Sequence, residues 1–344
     1  MEPLQTLGIA LGLATLAGLN LYLTVFVTGL AIQQQWIDVS TSHPDLVILG
    51  HPAIVAIAGT LYVIEFFADK VPWVDSLWDV VHTIIRPVGG ALLAIRVLGK
   101  PDPVFDVIVG LLGGSVTMLV HTVKSGTRLV VNHSPEPFSN IAVSLTEDVA
   151  VLGGLALIKT DPTLAFVVFG IVLLLMVYFG PKIYRAARVQ IWLLWKKIGS
   201  PASDKPIMQL GTNLPPDLHI LFHNHNLLGE TIVWAAHCVC RSAKGIPANV
   251  FGYLIATAEE PGKIWFVSRG RFRKLAVCLD LAHYKISQEP KFLSEYLIFY
   301  NLEKKTKLLF VFDRTQSSVA GAVTASLRER LASVEPASAP ELVA

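Results

Sequence analysis

Residues 163–180 read TLAFVVFGIVLLLMVYFG. The stretch carries no charged side chain and is long enough to cross a bilayer as a helix, which takes about 20 apolar residues. Nothing in it alternates as a half-buried strand would. It is followed directly by Lys182, Arg185, Arg188, Lys196 and Lys197, and then by Lys205. A wholly apolar helix ending in a basic cluster reads as a spanning helix with its C-terminal end on the cytoplasmic side.

Working outward, five more segments before it have similar character: Leu4–Ile32, Leu46–Phe67, Leu77–Leu98, Val104–Val123 and Asn140–Ile158. Leu4–Ile32 follows Glu2 rather than a basic region and is too long for a cleaved signal core, so it reads as a retained helix. A break is expected near Gly18-Leu19-Asn20. The third and fifth segments carry charges and are candidates for re-entrant or cavity-lining pieces. Six spans put both termini inside. The inner loops then hold Lys70 and the Lys124/Arg128 pair, and the outer loop Gln33–Asp45 holds no Lys or Arg. An odd number of spans would move the N-terminus out. The whole-chain composition agrees with a membrane location. Of 344 residues, 53% are hydrophobic and only 16% charged, and the mean hydropathy is +0.55, whereas a soluble domain carries about 25% charged residues. The net charge of +2 supplies no polycationic field for nucleic acid.

Beyond residue 200 the chain turns polar and strand-like. The expected organisation is a helical membrane domain over 1–182, a basic juxtamembrane helix and Gly/Pro/Ser linker over 183–216, a β domain over 217–334 and a disordered tail over 335–344. Tyr184–Ile198, with two tryptophans and a basic cluster, reads either as a helix lying on an anionic leaflet or as an extension of the sixth span.

The ionisable groups inside the apolar half are the informative ones, because a charge at membrane depth must pair or line a wet cavity. Asp75, Asp79, His82 and Arg86 recur at i, i+4, i+7 and i+11, one helical face. Glu65 and Asp69 lie one turn apart just before them, with Lys70 adjacent. His121, Lys124, Arg128 and Asn132 repeat the pattern in the fourth segment, and Glu147 and Asp148 in the fifth are the expected partners of Lys124 and Arg128. Pro87-Val88-Gly89-Gly90 should kink or unwind the third segment. Three readings stay open: mutually paired struts between helices, a polar pathway or ligand cavity, and intramembrane catalysis using Glu65 and Asp69. Val81-His82-Thr83 is echoed by Val120-His121-Thr122. Glycines cluster over Gly8–Gly18 and Gly110–Gly114, which reads as close helix packing before it reads as an inverted repeat.

Three blocks carry a resemblance to a known family. GLATLAGLNLYLTVFVTGLA, EFFADKVPWVDSLWDVVHTIIRPVGGALLA and HTVKSGTRLVVNHSPEPFSNIAVSLTEDVAVL occur in order and contain E-x-x-x-D-K-x-P, D-S-x-x-D, H-T-x-x-R-P and N-x-S-P-x-P-x-S-N. They closely resemble domain of unknown function 4126, a family of bacterial polytopic membrane proteins, over about residues 5–180. The resemblance implies a membrane location and marks the polar blocks as the family's signature, and the chain as a whole reads as a bacterial inner-membrane protein. It implies no activity.

In the second half, alternation and turn signals predict strands at Thr231–Arg241, Phe251–Ala258, Lys263–Ser268, Lys274–Leu281, Lys285–Glu289, Glu295–Leu302 and Thr306–Asp313, closed by a helix at Gln316–Ala332. Asp313 or Thr315 can cap that helix. Seven strands and one C-terminal helix look like a pleckstrin-homology-like split barrel. The fold class expected for the chain is thus an α-helical polytopic bundle of about six spans followed by a β-rich domain of that kind. The basic hairpin Arg269, Arg271, Arg273 and Lys274 is a candidate patch for anionic lipid headgroups or a protein partner, or a charged edge-protecting turn. His219, His223, His225, His237, Cys238 and Cys240 match no standard zinc spacing. Cys238 and Cys240, two apart on a strand, share a face and belong in a core. No metal or other cofactor is expected. G-x-S-x-G, H-E-x-x-H and Walker A patterns are absent from the sequence, so the chain is more an expected non-enzyme than an enzyme. The leading expectation is a small-solute or ion transporter or channel-like protein. The alternatives are a scaffold whose cytoplasmic domain binds lipid headgroups or a partner, and an intramembrane lipid-modifying enzyme.

Overall fold

The computed structural model describes residues 3–98, 103–131, 137–199, 210–225, 229–270, 274–281, 283–301 and 305–333. The chain divides into two compact units, Met1–Ala187 and Arg188–Ala344.

The first unit is helical: α1 (Pro3–Gln33), a 3-10 helix (Pro44–Gly50), α2 (Pro52–Ala68), α3 (Pro72–Leu98), α4 (Pro103–Val131), α5 (Pro137–Thr160) and the greater part of α6 (Pro162–Gly199). Each helix starts at a proline, whose missing N–H costs nothing in a first turn. Five helices are long and apolar enough to span a membrane. The 3-10 helix and α2, bent by 63° at His51-Pro52, make a sixth if taken as one broken span. The segment Leu46–Phe67 is therefore two pieces, not one rod. The third and fifth segments, expected as possible re-entrant pieces, are continuous helices.

Burial is inverted relative to a water-soluble bundle. Leu77, Ile84, Leu111 and Leu174 are about 70% exposed, while Glu65, Arg86, His121 and Arg128 are almost inaccessible. Exposed large apolar side chains on every helix from α2 to α6 would be strongly unfavourable in water and are matched by a hydrocarbon solvent. With its helix lengths, this makes the chain a multi-pass membrane protein.

α1 runs through the middle, packing against α2, α3, α4 and α5. Close approach rests on glycine: a Cβ on Gly90 of α3 would sit 1.8 Å from Thr117 Oγ1 of α4, and one on Gly8 of α1 would sit 2.1 Å from the Pro162 carbonyl oxygen. Pro87 does not unwind α3, which is helical throughout. The break is in α1, where Asn20 has φ −150° and ψ 99°. Its side-chain oxygen accepts from Leu23 N at 2.9 Å and caps the second half-helix.

The second unit holds the end of α6 from Arg188, α7 (Pro216–His225), β1 (Ile232–Ser242), β2 (Val250–Thr257), β3 (Lys263–Arg269), β4 (Lys274–Asp280), β5 (Tyr284–Pro290), β6 (Ser294–Asn301), β7 (Thr306–Asp313) and α8 (Ser317–Ala332). The strands form one antiparallel sheet in the order β4-β3-β2-β1-β7-β6-β5. Among the described residues β4 and β5 do not pair, so the sheet is open there. It is nevertheless curled. Phe266 of β3 and Phe310 of β7 lie three strands apart, which is about 14 Å in a flat sheet, yet their rings are 5.8 Å apart. α8 packs on β5, β6 and β7, burying Ala320, Val323 and Leu327 in the same core, and Trp234 Nε1 donates to Ser326 Oγ at 3.0 Å. Asp313 Oδ1 caps the turn before α8 by accepting from Thr315 N. α7 was not foreseen in the sequence. Tyr184–Ile198 is part of uninterrupted α6 rather than a separate helix. Linker residues 200–209 and the tail from 334 onward lie outside the described residues.

Candidate functional site

The polar residues singled out by spacing converge in the interior of the helical unit. Asp75, Asp79, His82 and Arg86 form one buried face of α3, and His121, Lys124 and Arg128 one buried face of α4. Asn132 lies outside the described residues. α2 contributes Glu65, with Asp69 at its C-terminal end, and α5 contributes Glu147 and Asp148.

Two ion-pair clusters result. In the first, Arg86 donates to Glu65 at 2.6 Å, and Lys124 lies 3.6 Å from Glu65 and 3.2 Å from Glu147. In the second, Arg128 donates to Asp75 at 2.5 Å, to Asp69 at 2.8 Å and to Glu147. A guanidinium presents its donors in a planar fork, so one arginine can hold three carboxylates from three helices. Glu147 bridges the clusters as the sequence reading expected. Asp148 does not join them: it accepts from Asn20 Nδ2 and from the Tyr62 hydroxyl, each at 3.1 Å. Lys70 is half-buried and donates to its own chain's Phe66 carbonyl at 2.8 Å.

The break in α1 meets this network directly. Its carbonyls lose their helical donors and are taken by cations: Arg86 donates to Gly18 O at 3.1 Å and to Leu19 O at 2.9 Å, and Lys124 donates to Leu19 O at 2.6 Å. The exposed C-terminal end of a half-helix carries partial negative charge, which is where cations are favoured. The two histidines play different parts. His121 Nδ1 lies 3.2 Å from Arg86 and its Nε2 is 3.1 Å from the Asp79 carbonyl. His82 is away from the ion pairs, held between Tyr22 Oη at 2.9 Å and Trp78 O at 2.7 Å, with its ring stacked on Trp78.

Not every group is satisfied. Asp79 Oδ1, Glu65 Oε2 and Arg86 Nε are buried without a hydrogen-bond partner among the described residues. Buried polar atoms are normally paired, so these mark where an ion, a proton or water would be accommodated. Among the described residues of the network, six carboxyl groups (Glu65, Asp69, Asp75, Asp79, Glu147, Asp148) stand with four cations (Lys70, Arg86, Lys124, Arg128). The sequence reading missed Asn20, Tyr22 and Tyr62 as members of the site. A lone asparagine two residues after Gly18 in an apolar span was the available signal for Asn20.

In the second unit, Arg269 pairs with Asp217 at 2.9 Å across an exposed surface and Lys274 is exposed. Arg271 and Arg273 lie outside the described residues. Cys238 and Cys240 are buried free thiols in the sheet core. Burial pushes the Cys240 thiol up to about 12 and Cys238 well above its usual value, the opposite of what a thiolate metal ligand needs. His219 and His223 lie one turn apart on α7, rings stacked 6.5 Å apart. No group of three or more potential metal ligands occurs among the described residues.

No curated protein matches the sequence. Among solved structures, the chain is similar to the DH/PH domains of a p115-RhoGEF mutant, with 11% identity and TM-score 0.25, covering 97% of this chain and 100% of that one. It is also similar to Vav1 inhibited by an allosteric inhibitor, with 8% identity and TM-score 0.25, covering 94% and 54%. Scores this low carry no argument about fold or function. The family comparison is different in kind. Residues 7–182 match the family described as Domain of unknown function (DUF4126), a span that takes in just over half of the chain and every member of the charge network, and the chain belongs to that family.

Proposed function

We propose that the helical unit is a transporter or channel-like carrier for an ion or small solute, with a proton as the coupling ion. The observation that carries this reading is the break of α1 at Asn20 inside a ring of buried ionisable side chains. Broken spanning helices whose freed carbonyls face charged groups build the central sites of secondary transporters, and ionisable groups at that depth mark ion and proton pathways. The excess of carboxyls over cations, with Asp79 Oδ1 and Glu65 Oε2 unpartnered, favours a proton. A lone carboxyl oxygen holds one without needing a coordination shell. In this reading the break lets the two halves of α1 shift while Arg86 and Lys124 exchange carbonyl for carboxylate partners. The protein sits in the bacterial inner membrane with its C-terminal unit in the cytoplasm. The seven-stranded unit is a pleckstrin-homology-like module whose Arg269–Lys274 hairpin meets anionic lipid or a partner.

Flux in proteoliposomes loaded with a pH-sensitive dye tests the proposal. Under an imposed potential the wild-type protein should move protons, alone or with a co-solute. Asp79→Asn should abolish the flux while inserting normally, because Asp79 makes no ion pair among the described residues. Normal flux in Asp79→Asn and in Glu65→Gln would contradict the proposal.

A further inference from the structure

A cavity that shares no residue with the charge network lies between α1, the loop 34–43, α5 and the start of α6. Its volume is about 500 Å3, within the range of roughly 300–1,000 Å3 typical of small-molecule sites. Its walls are largely hydrocarbon, with Leu13, Val27, Leu46, Leu155 and Ile158 among them. The polar lining comes from the loop end of the cavity, with Asp38, Ser42 and His43, from Thr28 of α1 and from Lys159 of α5.

That end is built rather than incidental. The Trp36 N–H donates to Ala31 O and the His43 N–H to Val39 O, each at 2.8 Å. Asp38 is committed to Ser40, accepting from its N–H and hydroxyl at 2.9 and 2.6 Å. Two lining atoms are left over. His43 is 4% exposed, with Nδ1 3.1 Å from Ser42 Oγ, and its Nε2 has no partner among the described residues. Thr28 is 8% exposed and its Oγ1 likewise has none. Lys159 also lines the cavity and forms no ion pair among the described residues. Burying two unpaired polar atoms is unfavourable unless something hydrogen-bonds to them. The Asp38 carboxylate is already held by Ser40, and the groups left on offer are the Lys159 ammonium, a hydroxyl and an imidazole, so the complementary head is anionic. The apolar wall beneath them suits a hydrocarbon tail, and an exposed tryptophan, Trp36, marks the depth at which head groups lie.

We propose that this cavity binds one hydrocarbon chain of an anionic amphiphile, with its head group against His43, Thr28 and Lys159. The head is a carboxylate or phosphate, carried either by a free fatty acid or by an anionic phospholipid that inserts one chain.

The test uses the full-length protein in a neutral detergent with three photoreactive probes bearing the same diazirine-labelled chain: palmitic acid, phosphatidylglycerol and the uncharged long-chain alcohol. Peptides carrying label are mapped by mass spectrometry. Label from either anionic probe should concentrate on 9–31 and 152–158, at least about fivefold above the alcohol. Preference for the acid identifies the free fatty acid, and preference for the phospholipid identifies the bilayer lipid. Ala156→Trp, which fills the cavity, should remove this label. The exposed Lys159→Glu, which does not threaten the fold, should bring the anionic probes down to the level of the alcohol. Equal labelling by all three probes, spread over the outward faces of every helix and unchanged in both variants, would overturn the proposal.

Discussion

Arg128 is the residue on which the interior charge arrangement turns. It is 1% exposed and holds Asp69, Asp75 and Glu147. Removing one partner of a buried network leaves the others uncompensated, at a cost of about 3–5 kcal/mol. Arg128→Met is accordingly expected to lower the thermal midpoint in detergent by far more than Lys70→Ala, whose ammonium is half-buried and bonds the last turn of α2. Equal midpoints would mean that Arg128 is not the keystone. Much of this site is legible from spacing, since a helical repeat puts residues three and four apart on one face. The buried faces of α3 and α4 follow from that alone. The partner of Asp148 does not. Successive residues on a helix point about 100° apart, so Glu147 and Asp148 cannot both meet Arg128. Asp148 turns to Asn20 and Tyr62 on α1 and α2, and a side chain's choice between two neighbouring helices is set by tertiary packing.

At the scale of the element, the difference between α1 and α3 is instructive. Pro87 and its two glycines suggest a break in α3, yet α3 is continuous and Gly89 and Gly90 serve contact instead, against Leu21 and Thr117. Asn20 breaks α1 because its side chain can cap the half-helix that follows while its amide satisfies Asp148. Asn20→Leu removes both and is expected to destabilise the protein by roughly 1–3 kcal/mol, read as a lowered thermal midpoint. An unchanged midpoint would show that the break does not depend on the cap. The bend at His51-Pro52 was hidden in the sequence because hydropathy averages over a window and the turn is only two residues wide. In the sheet, His237 lies against Trp192, Phe251 and Tyr253, and burial lowers its pKa from the usual 6.5. The unfolded chain therefore binds the proton more readily than the folded one. The stability contributed by neutral His237 is full above about pH 6.5 and is lost as pH falls towards the depressed folded value. Between pH 7.5 and 5.5, His237→Phe should lose less thermal stability than the wild type. An identical loss in both would place the acid sensitivity elsewhere.

At the scale of the whole molecule, two solvents shape two units. The helical unit turns leucine and isoleucine outward and carboxylates inward because hydrocarbon surrounds it. The sheet unit buries Trp234, Phe266, Phe299 and Phe310 in a single core because water does. All seven strands fall within a few residues of their expected places because alternation is a local signal. α7 was not legible, since Pro216–His225 is short and rich in histidine and its helicity rests on packing Leu218, Leu221 and Phe222 against the sheet. The central claim is that the buried charge network of the helical unit belongs to a pathway that water can reach. It is tested most directly by single cysteines at Thr83, Ser125 and Ser144, beside the network, in full-length protein with Cys238, Cys240 and Cys278 replaced by alanine. A membrane-impermeant thiol reagent is applied from each side of sealed vesicles. The account predicts labelling at these positions, sensitive to the imposed pH gradient and altered by Asp79→Asn. Folded protein that labels at none of the three positions from either side would contradict it, leaving a dry set of struts between helices.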